Sequence, residues 1–135
     1  MKLFLGIRIL RGRDYVSLNQ STYINAILHK SMMFDYKPDK TPIIGKIEYE
    51  KLNSNEFYDA PCQNLLGSLM YAMICTRPHL SYAVNLLIRF MNKNNVTCWQ
   101  YLKGILRYLK GTVNLKLIHR KNPDQNFDLF TGFVD

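Results

Sequence analysis

Apolar residues recur along the chain with two different periods, and each period predicts one kind of element. From Leu3 to Ile9 every second residue is apolar, which is the period of a β-strand. Tyr15–Leu18 is predicted to return beside it, so the N-terminal residues are expected to form a β-hairpin. Gly6 would lie inside the first strand, where a glycine indicates a bulge or the close approach of another backbone or a ligand.

Four later segments repeat apolar residues every three or four positions, which is typical of amphipathic helices. Asn19 or Ser21 can cap the first helix, and Pro61 suits the first turn of the second. Gly111 is predicted to end the last helix in a left-handed conformation. The four helices are expected from Asn19 or Ser21 to about Met33, from Pro61 to about Cys75, from Pro78 to about Lys93, and from about Thr97 to Lys110.

The stretch between the first two helices has no sustained period. Residues 35–60 contain Pro38 and Pro42 and are predicted to form a long ordered loop, here called the connector. A loop of roughly 25 residues is unusual inside one compact domain, so the connector is expected to lie across another surface. Val113–His119 and Phe127–Val134 are predicted strands. The expected fold class is therefore α+β and mostly helical, with an N-terminal β-hairpin, about four helices and two C-terminal strands.

Charge is distributed unevenly, and this narrows the classes of function. The formal net charge is +8, and residues 61–123 carry nine Lys or Arg but no Asp or Glu. Such a segment either contacts a polyanion, such as a phosphate backbone or anionic lipid, or needs acidic partners elsewhere in a larger protein. The longest apolar stretch, Leu65–Cys75, is shorter than the roughly 20 residues that span a bilayer, so no membrane partner is expected. Three cysteines without a C-x-x-C pair favour reduced thiols in an intracellular protein over a zinc site.

The last predicted helix carries the candidate binding chemistry. At about 100° per residue, Lys103, Arg107 and Lys110 lie within roughly 60° of one another, and Trp99 lies at the border of this cationic ridge. Cations beside aromatic rings suit a phosphate backbone with stacked bases. The alternative is an ordinary solvated helix face whose cations lie near the C-terminal end, where the helix dipole favours them.

Short motifs spaced along nearly the whole chain resemble one family. They are Phe4-Leu5-Gly6-Ile7, Leu18-Asn19-Gln20, Tyr23-Ile24, Thr41-Pro42, Gly67-Ser68-Leu69-Met70-Tyr71, Thr76-Arg77-Pro78, Ala83-Val84-Asn85 and Leu106-Arg107-Tyr108-Leu109-Lys110-Gly111-Thr112. Together they resemble the segment that follows the polymerase active site in copia-type retrotransposon Pol polyproteins. The resemblance implies a location between the palm and the ribonuclease H domain of a reverse transcriptase.

The resemblance also implies a role for each part of the chain. Phe4, Leu5 and Gly6 are similar to a primer grip, which would contact nucleic acid. A primer backbone passing close to the strand would then explain why position 6 is a glycine. Asp135 resembles the first metal-binding carboxylate of ribonuclease H. The implied parts are the end of the palm with the primer-grip hairpin at 1–18, the first thumb helix at 19–34, the connector at 35–60, the helical thumb and connection at 61–111, and strands leading into a truncated ribonuclease H domain at 112–135.

The same resemblance limits the chemistry expected of this chain. The family's Tyr-x-Asp-Asp motif is absent, and no acidic pair in residues 1–135 has a setting for two-metal phosphoryl transfer. The chain is therefore expected to be inactive alone and to hold no cofactor, with Mg²⁺ implied only for the parent RNA-directed DNA polymerase and ribonuclease H. The implied partners are an RNA–DNA or DNA primer–template and the rest of the Pol polyprotein, inside the cell in a cytoplasmic particle or the nucleus.

A second interpretation comes from a different class of function. The chain could be a decayed or domesticated remnant that acts as a protein-interaction module. Charge distinguishes the two hypotheses, because phosphate binding predicts a steep salt dependence. An interaction module predicts a modest salt dependence and an exposed apolar patch.

Overall fold

The computed structural model describes residues 2–43 and 45–121 of the chain. The predicted strand at 127–134 and Asp135 lie outside these residues. The α+β class, mostly helical, is confirmed: helices make the core, and a small antiparallel sheet is built from both ends of the described chain.

The sheet has four strands, because the first predicted strand is divided in two and the strand predicted at Val113–His119 joins the hairpin as Leu117–Arg120. Its strands follow the order β1-β2-β3-β4, and all neighbours are antiparallel. β4 follows the last helix and pairs with β3, with Ile118 opposite Ser17. This pairing matters because an isolated two-stranded hairpin is marginal in water. The strands are β1 (Lys2–Phe4), β2 (Ile7–Arg11), β3 (Tyr15–Asn19) and β4 (Leu117–Arg120).

The prediction that Gly6 lies inside a strand is wrong. Leu5 and Gly6 form a two-residue turn between β1 and β2, with Phe4 opposite Ile7. Their φ angles are +49° and +78°, and two consecutive positive φ angles are the mark of the tight turns that suit a twisted hairpin. Gly6 is therefore explained by the turn itself, since glycine adopts positive φ without steric cost. A passing primer is not needed to account for it.

All four predicted helices are present, but the third, predicted to run to about Lys93, ends at Ile88, and the connector adds a fifth, short helix. A single 3-10 turn at Pro78–Leu80 leads into the fourth. The prediction for Gly111 is wrong: it is the last residue of its helix, and the cap is Thr112 with a φ of −126°. The helices are α1 (Ser21–Lys30), α2 (Tyr49–Leu52), α3 (Cys62–Cys75), α4 (Ser81–Ile88) and α5 (Val96–Gly111).

One apolar core joins the helices. Leu52 of α2 is fully buried in it, which stabilises the fold by about 1.5–3 kcal/mol and ties the connector to the helices. Cys62 and Cys98 are free thiols in this core, and burial raises the pKa of both, that of Cys98 to about 12. They are therefore protonated at neutral pH. Within residues 2–43 and 45–121, no helix is long and apolar enough to cross a membrane.

A buried arginine fixes the end of α5. The Arg77 side chain is 1% exposed and donates to the hydroxyl of Thr112 at 3.0 Å and to the carbonyl oxygens of Thr112 and Val113. Its guanidinium thus binds carbonyls just beyond the C-terminus of α5, where the helix dipole favours a cation. Burial lowers the pKa of Arg77, although arginine remains charged at neutral pH. One of the nine cations of the acid-free segment is therefore structural.

Candidate nucleic-acid interface

α5 is the element that positions the predicted cationic ridge. Its N-terminus is capped by Asn95, whose side-chain oxygen accepts from the Cys98 N–H at 2.9 Å. Lys103, Arg107 and Lys110 follow on one side of the helix, and all three are partly exposed. The structure therefore brings these residues together as the helical spacing predicted.

The connector crosses this same side of α5. Arg107 Nε donates to the carbonyl of Lys37 at 2.8 Å, and its Nη1 lies 3.2 Å from Asp39 Oδ2. Lys110 Nζ donates to the carbonyl of Tyr36 at 2.6 Å. Two of the three ridge cations are thus bonded within the chain. The connector therefore packs on the ridge of this same chain.

Small residues on α5 make room for the connector. A Cβ on Gly104 would lie 3.5 Å from the carbonyl oxygen of Pro42, and one on Gly111 would lie 3.1 Å from Pro38 Cβ. Tyr101 adds a polar anchor, because its hydroxyl accepts from the Glu48 N–H at 3.1 Å. The two glycines are seven residues apart and therefore face the same side. They explain why glycine occurs inside this helix.

A cleft remains between α5 and the connector, with a volume of about 550 Å³. Lys103 lines it and forms no hydrogen bond or ion pair within the described part of the chain. Asp39 and Glu48 line it as well, so the cleft is polar and carries both signs of charge. Trp99 is half-buried against the core. Of the predicted ridge, Lys103 is the cation most available to a ligand.

Side chains of α1 and α3 hold the Leu5–Gly6 turn in place. The Tyr71 hydroxyl of α3 donates to the carbonyl of Leu5, and Tyr23 of α1 lies 3.8 Å from the position of a Gly6 Cβ. The two tyrosine rings meet edge to face at 5.0 Å. Phe4 and Leu5 nevertheless expose 62% and 71% of their surface. The turn therefore presents apolar side chains from a backbone that is fixed to the helices.

Sequence reasoning missed the residues that hold these features. The roles of Asp39, Tyr23 and Tyr71 depend on contacts between distant parts of the chain, and nothing in their local pattern signals them. Gly104 and Gly111 were the available signal, since glycines one heptad apart indicate a close approach to one helix face.

No metal centre is formed by the described residues. No group of three or more His, Cys, Asp or Glu side chains there could hold a metal ion. The Mg²⁺ implied for a parent polymerase therefore has no set of ligands among residues 2–43 and 45–121.

The chain is similar to retrovirus-related Pol polyproteins of plant transposons. The chain is 36% identical over 117 residues to the Pol polyprotein from transposon TNT 1-94 of Nicotiana tabacum, and 36% identical over 119 residues to that from transposon RE1 of Arabidopsis thaliana. An uncharacterized mitochondrial protein of Arabidopsis thaliana is 33% identical over 127 residues. These similarities support a retrotransposon-derived origin.

The matched regions cover most of this chain but only part of each relative. They take in 80%, 87% and 94% of the chain for TNT 1-94, RE1 and the mitochondrial protein respectively. The chain spans 9% and 8% of the two polyproteins and 52% of the mitochondrial protein. No protein-family model and no solved structure matches the chain.

Proposed function

We propose that this chain is a segment of the reverse transcriptase of a copia-type retrotransposon. Its role is to hold primer–template nucleic acid, and the carboxylates and metal ions that catalyse polymerisation belong to other parts of the enzyme. The motifs that resemble the region after the polymerase active site support this proposal, and so does the similarity to Pol polyproteins of transposons.

The observation that carries the proposal is the charge of the helical half. Residues 61–121 contain nine cations and no carboxylate side chain. Arg77 is buried and bonded within the chain, and Asp39 of the connector pairs with Arg107, but the excess of positive charge remains large. Each phosphate that such a surface neutralises releases a counterion, which favours binding at low salt.

The test is equilibrium binding of the purified chain to a labelled RNA–DNA hybrid across a salt series. Lys103→Gln is the informative variant, because Lys103 lines the cleft without an internal partner. Changes at Arg107 or Lys110 would also release the connector and confuse binding with stability. Arg89→Gln is the matched control, since Arg89 is exposed near the end of α4.

The proposal predicts salt-sensitive binding in which Lys103→Gln lowers the magnitude of the slope of log affinity against log salt by about 0.9, the value for one phosphate contact on a duplex. Arg89→Gln should leave the slope unchanged. Absence of binding at low salt by the folded chain would contradict the proposal. Binding that salt hardly affects would contradict it as well and would favour a protein-interaction module.

A further inference from the structure

The four-stranded sheet has two unlike faces. Side chains alternate along each strand, and cross-strand partners point to the same side. On one side lie half-buried apolar residues: Ile7, Ile9, Val16, Leu18 and Leu117. On the other side, here called the open face, Leu10 and Tyr15 are each 41% exposed and Ile118 is 46% exposed. Only Ser17, between Leu10 and Ile118, is buried there.

Cations from both ends of the described chain meet on this open face. Arg8 shares it with Leu10 by alternation along β2, and Arg120 lies opposite Tyr15. Lys116, just before β4, lines the same depression of about 320 Å³ as Arg120. Across residues 2–43 and 45–121, Arg8, Lys116 and Arg120 form no side-chain hydrogen bond or ion pair. Asp14 at the rim is the one carboxylate that lines the depression.

Tyr15 supplies a partly exposed aromatic ring beside these cations. A Cβ on Gly12 would lie 2.2 Å from Tyr15 Cε1, so the ring lies directly over the glycine. The absence of a side chain at Gly12 is thus what allows the ring to take this position. The ring packs against Gly12, and Tyr15 remains 41% exposed, so ring surface is accessible for a base to stack on.

We propose that the open face of the sheet binds a single strand of nucleic acid. Arg8, Lys116 and Arg120 contact its phosphates, and an unpaired base stacks on Tyr15. A single strand fits better than a duplex, because paired bases are already stacked on their neighbours and cannot cover the ring. This inference rests on the proposed function, but it assigns the main contact to the sheet, since the connector already bonds two of the three α5 cations.

Charge complementarity is the argument for this occupant. Three unpaired cations, one carboxylate and one aromatic ring share the open face with the exposed Leu10 and Ile118. Binding of an apolar protein partner would not explain the cations, and an ordinary solvent-exposed surface would not explain the exposed Leu10 and Ile118. Phosphates flanking stacked bases match both features.

The experiment measures binding of the whole chain to a labelled, unstructured DNA strand of about 20 nucleotides. The variant is Arg8→Gln/Lys116→Gln/Arg120→Gln. The matched control removes three exposed cations elsewhere, Lys30→Gln/Lys40→Gln/Arg89→Gln, so that both proteins have the same net charge. The sheet variant should lower the magnitude of the salt slope by about 2, because each of the three lost phosphate contacts contributes roughly 0.7 on a single strand. The control should change it by much less.

Stacking is tested separately at Tyr15. Tyr15→Phe keeps the ring and should bind like the wild type, whereas Tyr15→Leu should weaken binding about fivefold or more. An equal reduction of the salt slope in the two charge variants, or equal binding of the Phe and Leu variants, would overturn the inference. The proposed function would still stand in either case if the wild type binds in a salt-sensitive way. Failure of the wild type to bind any strand at low salt would overturn both.

Discussion

Asn95 is the residue whose replacement should best reveal how α5 and the connector depend on each other. Its side chain is 1% exposed and makes three hydrogen bonds. The oxygen caps α5 at the Cys98 N–H, and the nitrogen donates to the carbonyls of Leu52 at 2.7 Å and Ser54 at 3.0 Å. One side chain thus starts the candidate binding helix and holds the far end of the connector.

The cost of Asn95→Ala follows from these three bonds. Loss of an N-cap costs about 1 kcal/mol. The carbonyl of Leu52 would remain buried without its donor, which costs about 1–3 kcal/mol more. We therefore expect Asn95→Ala to lower the free energy of unfolding by roughly 2–4 kcal/mol.

Urea unfolding followed by circular dichroism measures this change. Asn95→Ser separates the two parts, because serine can still cap the helix but is too short to donate to the connector. It should therefore remain destabilised by about 1–3 kcal/mol. Asn92→Ala, in the exposed turn before α5, is the control and should change stability by less than about 0.5 kcal/mol. A cost below about 0.5 kcal/mol for Asn95→Ala, or full stability in Asn95→Ser, would refute the reasoning.

Three further predictions concern stability. Gly67→Ala, in open space on α3, should stabilise by about 0.5–1 kcal/mol in urea unfolding, whereas Gly111→Ala should gain less because its Cβ would crowd the connector; equal gains would contradict the seating of the connector on α5. Arg77→Lys should cost at least about 1.5 kcal/mol in the same assay, because lysine cannot keep the forked contacts to Thr112; a neutral result would argue against the buried guanidinium. Raising the pH from 7 to 10 should lower the free energy of unfolding by about 1.4 kcal/mol through Cys98, because its thiol ionises near pH 9 in the unfolded chain but, with a pKa of about 12, stays protonated in the folded one. Cys98→Ala should remove this part of the pH dependence. An unchanged pH profile in that variant would count against the raised pKa.

The helices could be predicted from the sequence because their signal is local. The apolar period of α5 and the capping side chain before it lie within one short segment, and the structure places the helix at Val96–Gly111. The division of the N-terminal strand into β1 and β2 was harder to predict, because the alternation from Leu3 to Ile9 continues without interruption across Leu5 and Gly6. The period alone does not reveal a two-residue turn, and the glycine was the one local sign of it.

The candidate site was less predictable because long-range contacts decide it. Arg107 and Lys110 bond mainly to backbone carbonyls of the connector, and every residue type offers the same carbonyl. The pairing of β4 with β3 joins residues about a hundred positions apart, such as Ser17 and Ile118. Helical spacing correctly grouped the α5 cations, but it could not show which of them the chain itself would occupy.

The most direct test of the account is the salt dependence of binding between the wild-type chain and an RNA–DNA hybrid. The account predicts that log affinity falls linearly with log salt between about 50 and 200 mM, with a slope of about −2.7 or steeper, which corresponds to three or more neutralised phosphates. A slope near zero, or no binding by a folded chain at the lowest salt, would contradict the proposal that this chain holds nucleic acid.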